Sequence, residues 1–98
     1  MAALAQLQQE IYDLRGGAHL VVTKVQVTSG SDTLAVPEGL GHARHVVVVP
    51  VDSSDTAKTV SSISQSAHPQ GASVTMTGGT NGSMQWVISL HNGNAAGL

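Results

Sequence analysis

The chain has 98 residues, enough for one small domain, and its 41% hydrophobic content includes one Trp, one Tyr and no Phe, so a core must be built from Val, Leu, Ile, Ala and Met. The absence of cysteine excludes disulfides, thiol catalysis and cysteine-ligated zinc. A net charge of −2, with only four Lys and Arg residues in total, makes no basic stripe and argues against duplex nucleic acid as a ligand.

Two further consequences concern stability and location. A core of small side chains buries little area per residue, so we expect additional stability from oligomerisation or from docking on a larger partner. No apolar run approaches the roughly 18 residues of a membrane span, and the N-terminus lacks a signal-peptide pattern. We therefore expect neither membrane association nor secretion.

Residues 1–15 have the composition and periodicity of an amphipathic helix, which Gly16 and Gly17 would end. The candidate partner-binding residues recur on one stripe of this helix, at spacings of three and four: Leu4, Leu7, Ile11 and Leu14. We predict a helical arm over residues 1–17. Because so short a helix is marginal in water, the stripe needs the domain's own sheet, a copy of itself or a larger surface to cover it.

From residue 18 the periodicity changes to that of strands. Residues 19–27 place Val21, Val25 and Val27 on one face, with Lys24 and Gln26 on the other. Residues 33–37 form a second predicted strand, with Leu34 and Val36 facing inward. Residues 43–51 form a third, whose four consecutive valines predict cover on both faces and whose Pro50 predicts an edge or a bulge.

Three more predicted segments complete the chain. Residues 57–66 have Val60 and Ile63 as their only strong apolar anchors. Residues 72–77 and 83–90 flank the sequence GGTNG, which predicts a β-hairpin. In the second arm, alternation puts Met84, Trp86, Ile88 and Leu90 on one face, which predicts that Trp86 lies in the core. Residues 92–98 have no pattern and are predicted to form a flexible tail.

Six closely spaced strands predict a mainly β fold, a small antiparallel β-sandwich or barrel over residues 18–91 with a short N-terminal helical arm.

The stretch HARHVVVVPVDSSD raises the question of a metal site, with His42, His45, Asp52 and Asp55 as its possible ligands. Three residues of separation put the two histidines on opposite faces of a strand, and the extended span from His45 to Asp52 is roughly 20 Å. We therefore expect no metal here. Asp52 is instead predicted to cap a turn with Ser53 or Ser54.

No recognisable nucleophile elbow or catalytic carboxylate pair is present, so we expect neither an enzyme nor a cofactor. Two non-enzymatic classes stay open. One is a structural accessory of a large assembly, and the other is a small glycan-binding β module that uses Trp86 as a stacking platform.

The segments VVTKVQVTSGSDTLAVPEG, HVVVVPVDSSDTAKTV and VTMTGGTNGSMQWVISL, together with a charged fraction of 10%, resemble the small β-rich virion proteins of tailed bacteriophages, most of all head decoration (cement) proteins. The resemblance implies a protein made in the host cytoplasm and located on the capsid surface of the virion. It would bind assembled major capsid protein, or other virion subunits, and reinforce the junctions between capsid subunits as a homo-oligomer such as a trimer. Tail, connector and fibre components share the same low charged fraction and β-rich composition.

Overall fold

The computed structural model describes residues 2–3, 5–28, 30–36, 42–67 and 70–92. Its strands are β1 (Ala2–Ala3), β2 (Ala5–Asp13), β3 (Ala18–Gln26), β4 (Ser31–Val36), β5 (His42–Pro50), β6 (Lys58–Ala67), β7 (Gln70–Gly78) and β8 (Met84–Asn92). A single 3-10 turn, Arg15–Gly17, joins β2 to β3.

The strands form two four-stranded sheets. Sheet 1 has the order β1-β4-β7-β6, and sheet 2 has the order β2-β3-β8-β5. All pairings are antiparallel except the two-residue parallel pairing of β1 with β4. The mainly β prediction is confirmed. Within the described residues the sheets stay separate and do not close into one barrel, which corresponds to the predicted sandwich.

The core lies between the sheets and is built from small aliphatic residues, as predicted. Its buried cluster is Val25, Ala43 and Val87 from sheet 2 with Leu34, Val74 and Met76 from sheet 1. Val60 and Ile63 both pack against this cluster, although they are three residues apart. A bulge between Val60 and Ser62 makes this possible, because it adds one residue and returns both side chains to the same face.

The predicted N-terminal helix is wrong for the part of it that the structure describes. Ala5–Asp13 forms β2, which pairs with β3 over eight residue positions. Helix propensity is a weak prior, and a helix this short has no stability of its own. Pairing with the edge of β3 joins this segment to an already folded sheet, whereas a free helix of this length has no packed surface to support it.

The predicted hairpin around GGTNG is also wrong, although both of its arms are strands. β7 belongs to sheet 1 and β8 to sheet 2, so the connection crosses from one sheet to the other. Gly78, Gly79 and Gly82 have positive φ. The glycines therefore supply the sharp turn that the sequence indicated, but the turn joins the layers of the sandwich instead of two paired neighbours.

β5 is an edge strand of sheet 2, which confirms the interpretation of Pro50. The prediction that its valines are covered on both faces is wrong. Val46 and Val48 are half-buried against the core, whereas Val47 and Val49 are exposed. An edge strand of a two-layer sandwich has only one layer to pack against, and this leaves alternate valines outside.

The predicted tail falls mostly outside the described residues, which end at Asn92 in β8. No helix among the described residues is long and apolar enough to cross a membrane.

Candidate docking surface

Sheet 2 turns a largely apolar surface away from the core. In antiparallel pairs, directly opposed residues share a face, and burial of Val21, Val25 and Val87 identifies the inner one. The surface is termed the outer face of sheet 2. Its apolar members are Tyr12 from β2, Leu20 and Val22 from β3, Met84, Trp86, Ile88 and Leu90 from β8, and Val47 and Val49 from β5. Its polar members are Gln8 and Glu10 from β2, Lys24 and Gln26 from β3, and His45 from β5.

The apolar side chains of this face are continuous across strands. Ile88 lies between Val22 and Val47 in the ladder, and Trp86 lies between Lys24 and Val49. Val47 and Val49 are 55% and 44% exposed. A contiguous apolar patch of this kind is typical of an interaction surface.

The orientation of β8 reverses the sequence-based expectation. Trp86 and its three apolar neighbours were predicted to face the core, but the buried residues of the strand are Gln85, Val87, Ser89, His91 and the terminal Asn92. Trp86 is therefore half-exposed on the outer face of sheet 2, where Lys24 Nζ lies 5.6 Å from the centre of its ring. The larger apolar face of β8 points outward, and the more polar face points inward.

Hydrogen bonds make the inward polar face of β8 tolerable. Gln85 Nε2 donates to the Thr56 carbonyl oxygen at 2.8 Å, and its Oε1 accepts from the Lys58 backbone N–H at 2.8 Å. Farther along the strand, Ser89 Oγ and His91 Nε2 are 2.8 Å apart. Buried polar groups cost little when they are paired in this way, so the inner face can carry them.

A buried ion pair lies beside Gln85. Lys58 Nζ is 3.0 Å from Asp32 Oδ2, and both side chains are fully buried. The ammonium also donates to the Gly78 carbonyl oxygen at 2.7 Å, while Thr28 Oγ1 donates to Asp32 Oδ1 at 3.1 Å. This network connects strands of sheet 1 with the β7–β8 connection and has a structural role.

The outer face of sheet 1 has the opposite character. The opposed residues of β4, β7 and β6 on this face almost all carry hydroxyl groups. They are Ser31, Thr33 and Ala35 from β4, Ser73, Thr75 and Thr77 from β7, and Thr59, Ser62 and Ser64 from β6, with Ala35 as the exception. The sandwich is therefore two-sided, with a polar surface on sheet 1 and an apolar surface on sheet 2.

The partner-binding residues predicted from the sequence are separated by the strand geometry. Leu4 lies outside the described residues. Leu7, Ile11 and Leu14 are 48%, 46% and 44% exposed, so they are accessible but do not form a helical stripe. Ile11 is in register with Val21 and faces the inner side of sheet 2, Leu7 is the extra residue of a bulge, and Leu14 follows the strand. Their role in binding stays a prediction.

Asp52 caps a turn, as predicted. Its Oδ1 accepts hydrogen bonds from the Ser54 backbone N–H at 3.0 Å and from the Ser54 hydroxyl at 2.9 Å. These bonds lower the pKa of Asp52, the backbone bond contributing most. Among the residues that the structure describes, no three His, Asp or Glu side chains group in a way that could hold a metal ion. The His42 side chain falls outside them.

Tyr12 and Glu10 interact at the β2 margin of the outer face. The Tyr12 hydroxyl donates a hydrogen bond to the Glu10 carboxylate, and this bond, with the charge of that carboxylate, raises the pKa of Tyr12. Both groups are exposed, and the bond links two neighbouring outward side chains of β2.

No protein-family model, curated protein or solved structure matches this chain.

Proposed function

We propose that the chain is a structural virion protein that docks through the outer face of sheet 2 onto the outer surface of an assembled phage capsid, where it reinforces junctions between major capsid protein subunits. The observation that carries the proposal is the inversion of β8, which leaves Met84 exposed and Trp86, Ile88 and Leu90 only partly buried while polar residues are buried. When a partner covers this apolar face, the removal of apolar surface from water stabilises the complex.

The charge pattern supports a partner with an apolar protein surface over a highly charged partner. Lys24 is the only charged residue among the outward side chains of the two central strands, β3 and β8. Burying an unpaired charge is costly, and interface centres are accordingly depleted of charge. The hydroxylated outer face of sheet 1 would then face solvent.

A capsid shell repeats the same junction between subunits many times, and this repetition supports a role in reinforcing those junctions. Each additional apolar side chain that becomes fully buried contributes about 1.5–3 kcal/mol, before the cost of association. Such a contact opposes subunit separation when it bridges two neighbours. A ligand that binds the assembled state and not the separate subunits stabilises assembly by mass action.

The test uses shells of the phage that encodes the chain, prepared without it. The chain should co-sediment with assembled shells and not with free capsid subunits, and loaded shells should withstand heating better than bare ones. Val47→Lys with Val49→Lys should weaken shell binding by about tenfold or more, since two charges enter the contact. Thr59→Lys, on the exposed face of sheet 1, is the matched control and should bind normally.

A shell that binds the doubly substituted chain and the original chain equally well would remove the outer face of sheet 2 from the proposal. Recovery of the chain only from isolated tails would replace the capsid role by a tail, connector or fibre role.

The position of Trp86 favours a glycan-binding module as a second candidate. A half-exposed indole on an open sheet face can stack on a sugar ring, and Lys24 beside it can contact a polar substituent. Pull-down on insoluble polysaccharides should retain the chain if this is its function, and Trp86→Ala should abolish retention without changing the unfolding midpoint.

A further inference from the structure

The edge strand β2 contributes almost nothing to the core of its own domain. Every side chain at positions 6–17 is exposed, including Leu7, Ile11 and Tyr12. Within the described residues β2 pairs only with β3, so its second edge carries backbone groups that no other strand meets. An apolar strand with an open edge is a template for pairing with another strand.

The two edges of sheet 2 are protected to different degrees. β5 ends at Pro50, carries the cation Arg44 and is bulged between Ala43 and His45. β2 contains no Pro, Lys or Arg, and its one bulge lies near its start, between Gln6 and Gln8. Residues 8–13 pair with β3 in regular register. Proline, charged side chains and bulges are the features that keep sheet edges apart. β5 has all three, whereas residues 8–13 of β2 have only the carboxylates of Glu10 and Asp13, so β2 is the edge better suited to pairing.

We infer that β2 pairs antiparallel with β2 of a second copy about a two-fold axis at Ile11, forming a continuous eight-stranded sheet. A two-fold axis that relates antiparallel neighbours is perpendicular to the sheet, so directly opposed residues must come from the same face. The axis therefore passes through a residue position and not between two positions.

Charge and register select Ile11 as that position. An axis at Glu10 would oppose two carboxylates directly, which is destabilising. An axis at Gln8 or Gln9 would run the pairing through the bulge, and one at Tyr12 would set Asp13 against Ile11.

The axis at Ile11 gives a compatible set of neighbours. The two Ile11 side chains meet, Glu10 lies opposite Tyr12 of the second copy, and Asp13 lies opposite Gln9. Each carboxylate thus faces a hydrogen-bond donor. Ile11, which is 46% exposed in the single chain, becomes covered by its own copy.

This arrangement also aligns the docking surfaces. A perpendicular two-fold axis keeps the outer faces of sheet 2 from both copies on the same side of the extended sheet. The dimer therefore presents two apolar surfaces on one side of the extended sheet, separated by a seam that carries Glu10 and Tyr12 of both copies. The pairing rests on β2 alone and holds whatever the outer face of sheet 2 binds.

Single-cysteine variants test both the pairing and its register, since the natural chain has no cysteine. Ile11→Cys places two thiols at the axis, where mild oxidation should give a disulfide-linked dimer of about twice the 10.0 kDa chain mass. Gln9→Cys is the matched control on the same face of the same strand. Its two copies would be four residues apart, or about 13 Å, which is too far for a disulfide.

Mixing Gln9→Cys with Asp13→Cys should give the crosslinked heterodimer, because these positions are opposed. Failure of Ile11→Cys to crosslink, or equally fast crosslinking of Gln9→Cys alone, would overturn the proposed pairing.

Solution mass provides the second measurement. Light scattering should show a concentration-dependent dimer of the natural chain, and Ile11→Lys should raise its dissociation constant by about tenfold or more, with unchanged circular dichroism. Val47→Lys, in the other edge strand, should dimerise normally. A natural chain that is monomeric at all concentrations, or a dimer lost in Val47→Lys and kept in Ile11→Lys, would contradict the inference.

Discussion

The stability of the interior depends strongly on one charged pair, Lys58 and Asp32. Both side chains are fully buried, 3.0 Å apart, and Gln85 accepts from the Lys58 backbone. Removing one partner of a buried pair leaves the other charge without compensation, whereas removing both is far less costly.

We therefore expect Lys58→Met to lower the free energy of unfolding by about 3–5 kcal/mol. Combining it with Asp32→Leu should restore part of that loss, since no isolated charge is left inside. Urea unfolding followed by circular dichroism measures both changes. Lys24→Met, which removes a cation from the outer face, is the control and should change stability little. An additive double variant would show that the two charges do not interact.

Asp52 provides a pH-dependent test of a single side chain. The Ser54 backbone N–H and hydroxyl lower the pKa of Asp52, so ionised Asp52 stabilises the folded turn above its ordinary pKa of about 3.9. That contribution is lost as pH falls through the lowered pKa. In an NMR titration, Ser54→Ala should raise the pKa of Asp52 only in part, because the larger backbone contribution stays. Ser53→Ala should leave that pKa unchanged.

The β7–β8 connection depends on one close approach. A Cβ added at Gly79 would lie 2.6 Å from Lys58 Cγ, and the φ of Gly79 is +83°. Gly82 has nearly the same φ, +81°, but has open space around the position of a Cβ. The two glycines therefore separate backbone strain from steric contact.

Gly82→Ala should cost about 1–2 kcal/mol of unfolding free energy, from the left-handed backbone alone. Gly79→Ala should cost more, because its methyl group must also displace the stem of Lys58. Thermal unfolding of the two variants measures the difference. Equal losses would mean that Lys58 yields freely and that the connection is held by φ alone.

Sequence periodicity identified strands β3 to β8 but not their sheets. Alternation within β3 placed Val21 and Val25 on one face, and both are buried. The same rule was wrong for β8, because it counts apolar bulk and cannot register the hydrogen bonds that let Gln85 and His91 lie inside. It was also wrong for β2, where pairing with β3 overrides helix propensity.

The candidate docking surface was correspondingly hard to predict. Alternation did group Trp86 and Ile88 on one face of β8, but the apolar bulk of that face pointed to the core. Val47 and Val49 were part of an uninterrupted valine run, which carries no information about facing. Only the order of strands in sheet 2 shows that these residues form one surface.

The two outer faces of the sandwich differ in polarity, and this difference predicts which face binds a partner and which stays in water. Sheet 1 presents hydroxyl groups and sheet 2 presents aliphatic groups with Trp86, so covering one face leaves the other hydrated. The β2 edge lies two strands away from β8. Dimerisation through β2 and docking through the outer face of sheet 2 should therefore have separate effects on Trp86.

The single Trp makes this separation measurable. Replacing Trp86 by 5-hydroxytryptophan allows its emission to be excited apart from the tryptophans of a shell. Acrylamide should quench this emission strongly in the free chain, because the ring is half-exposed, and equally across the dilution range in which the dimer dissociates. On shells, quenching should fall and emission should shift to the blue as the ring leaves water. A shell-bound chain whose Trp86 is quenched as strongly as before would mean that another surface makes the contact.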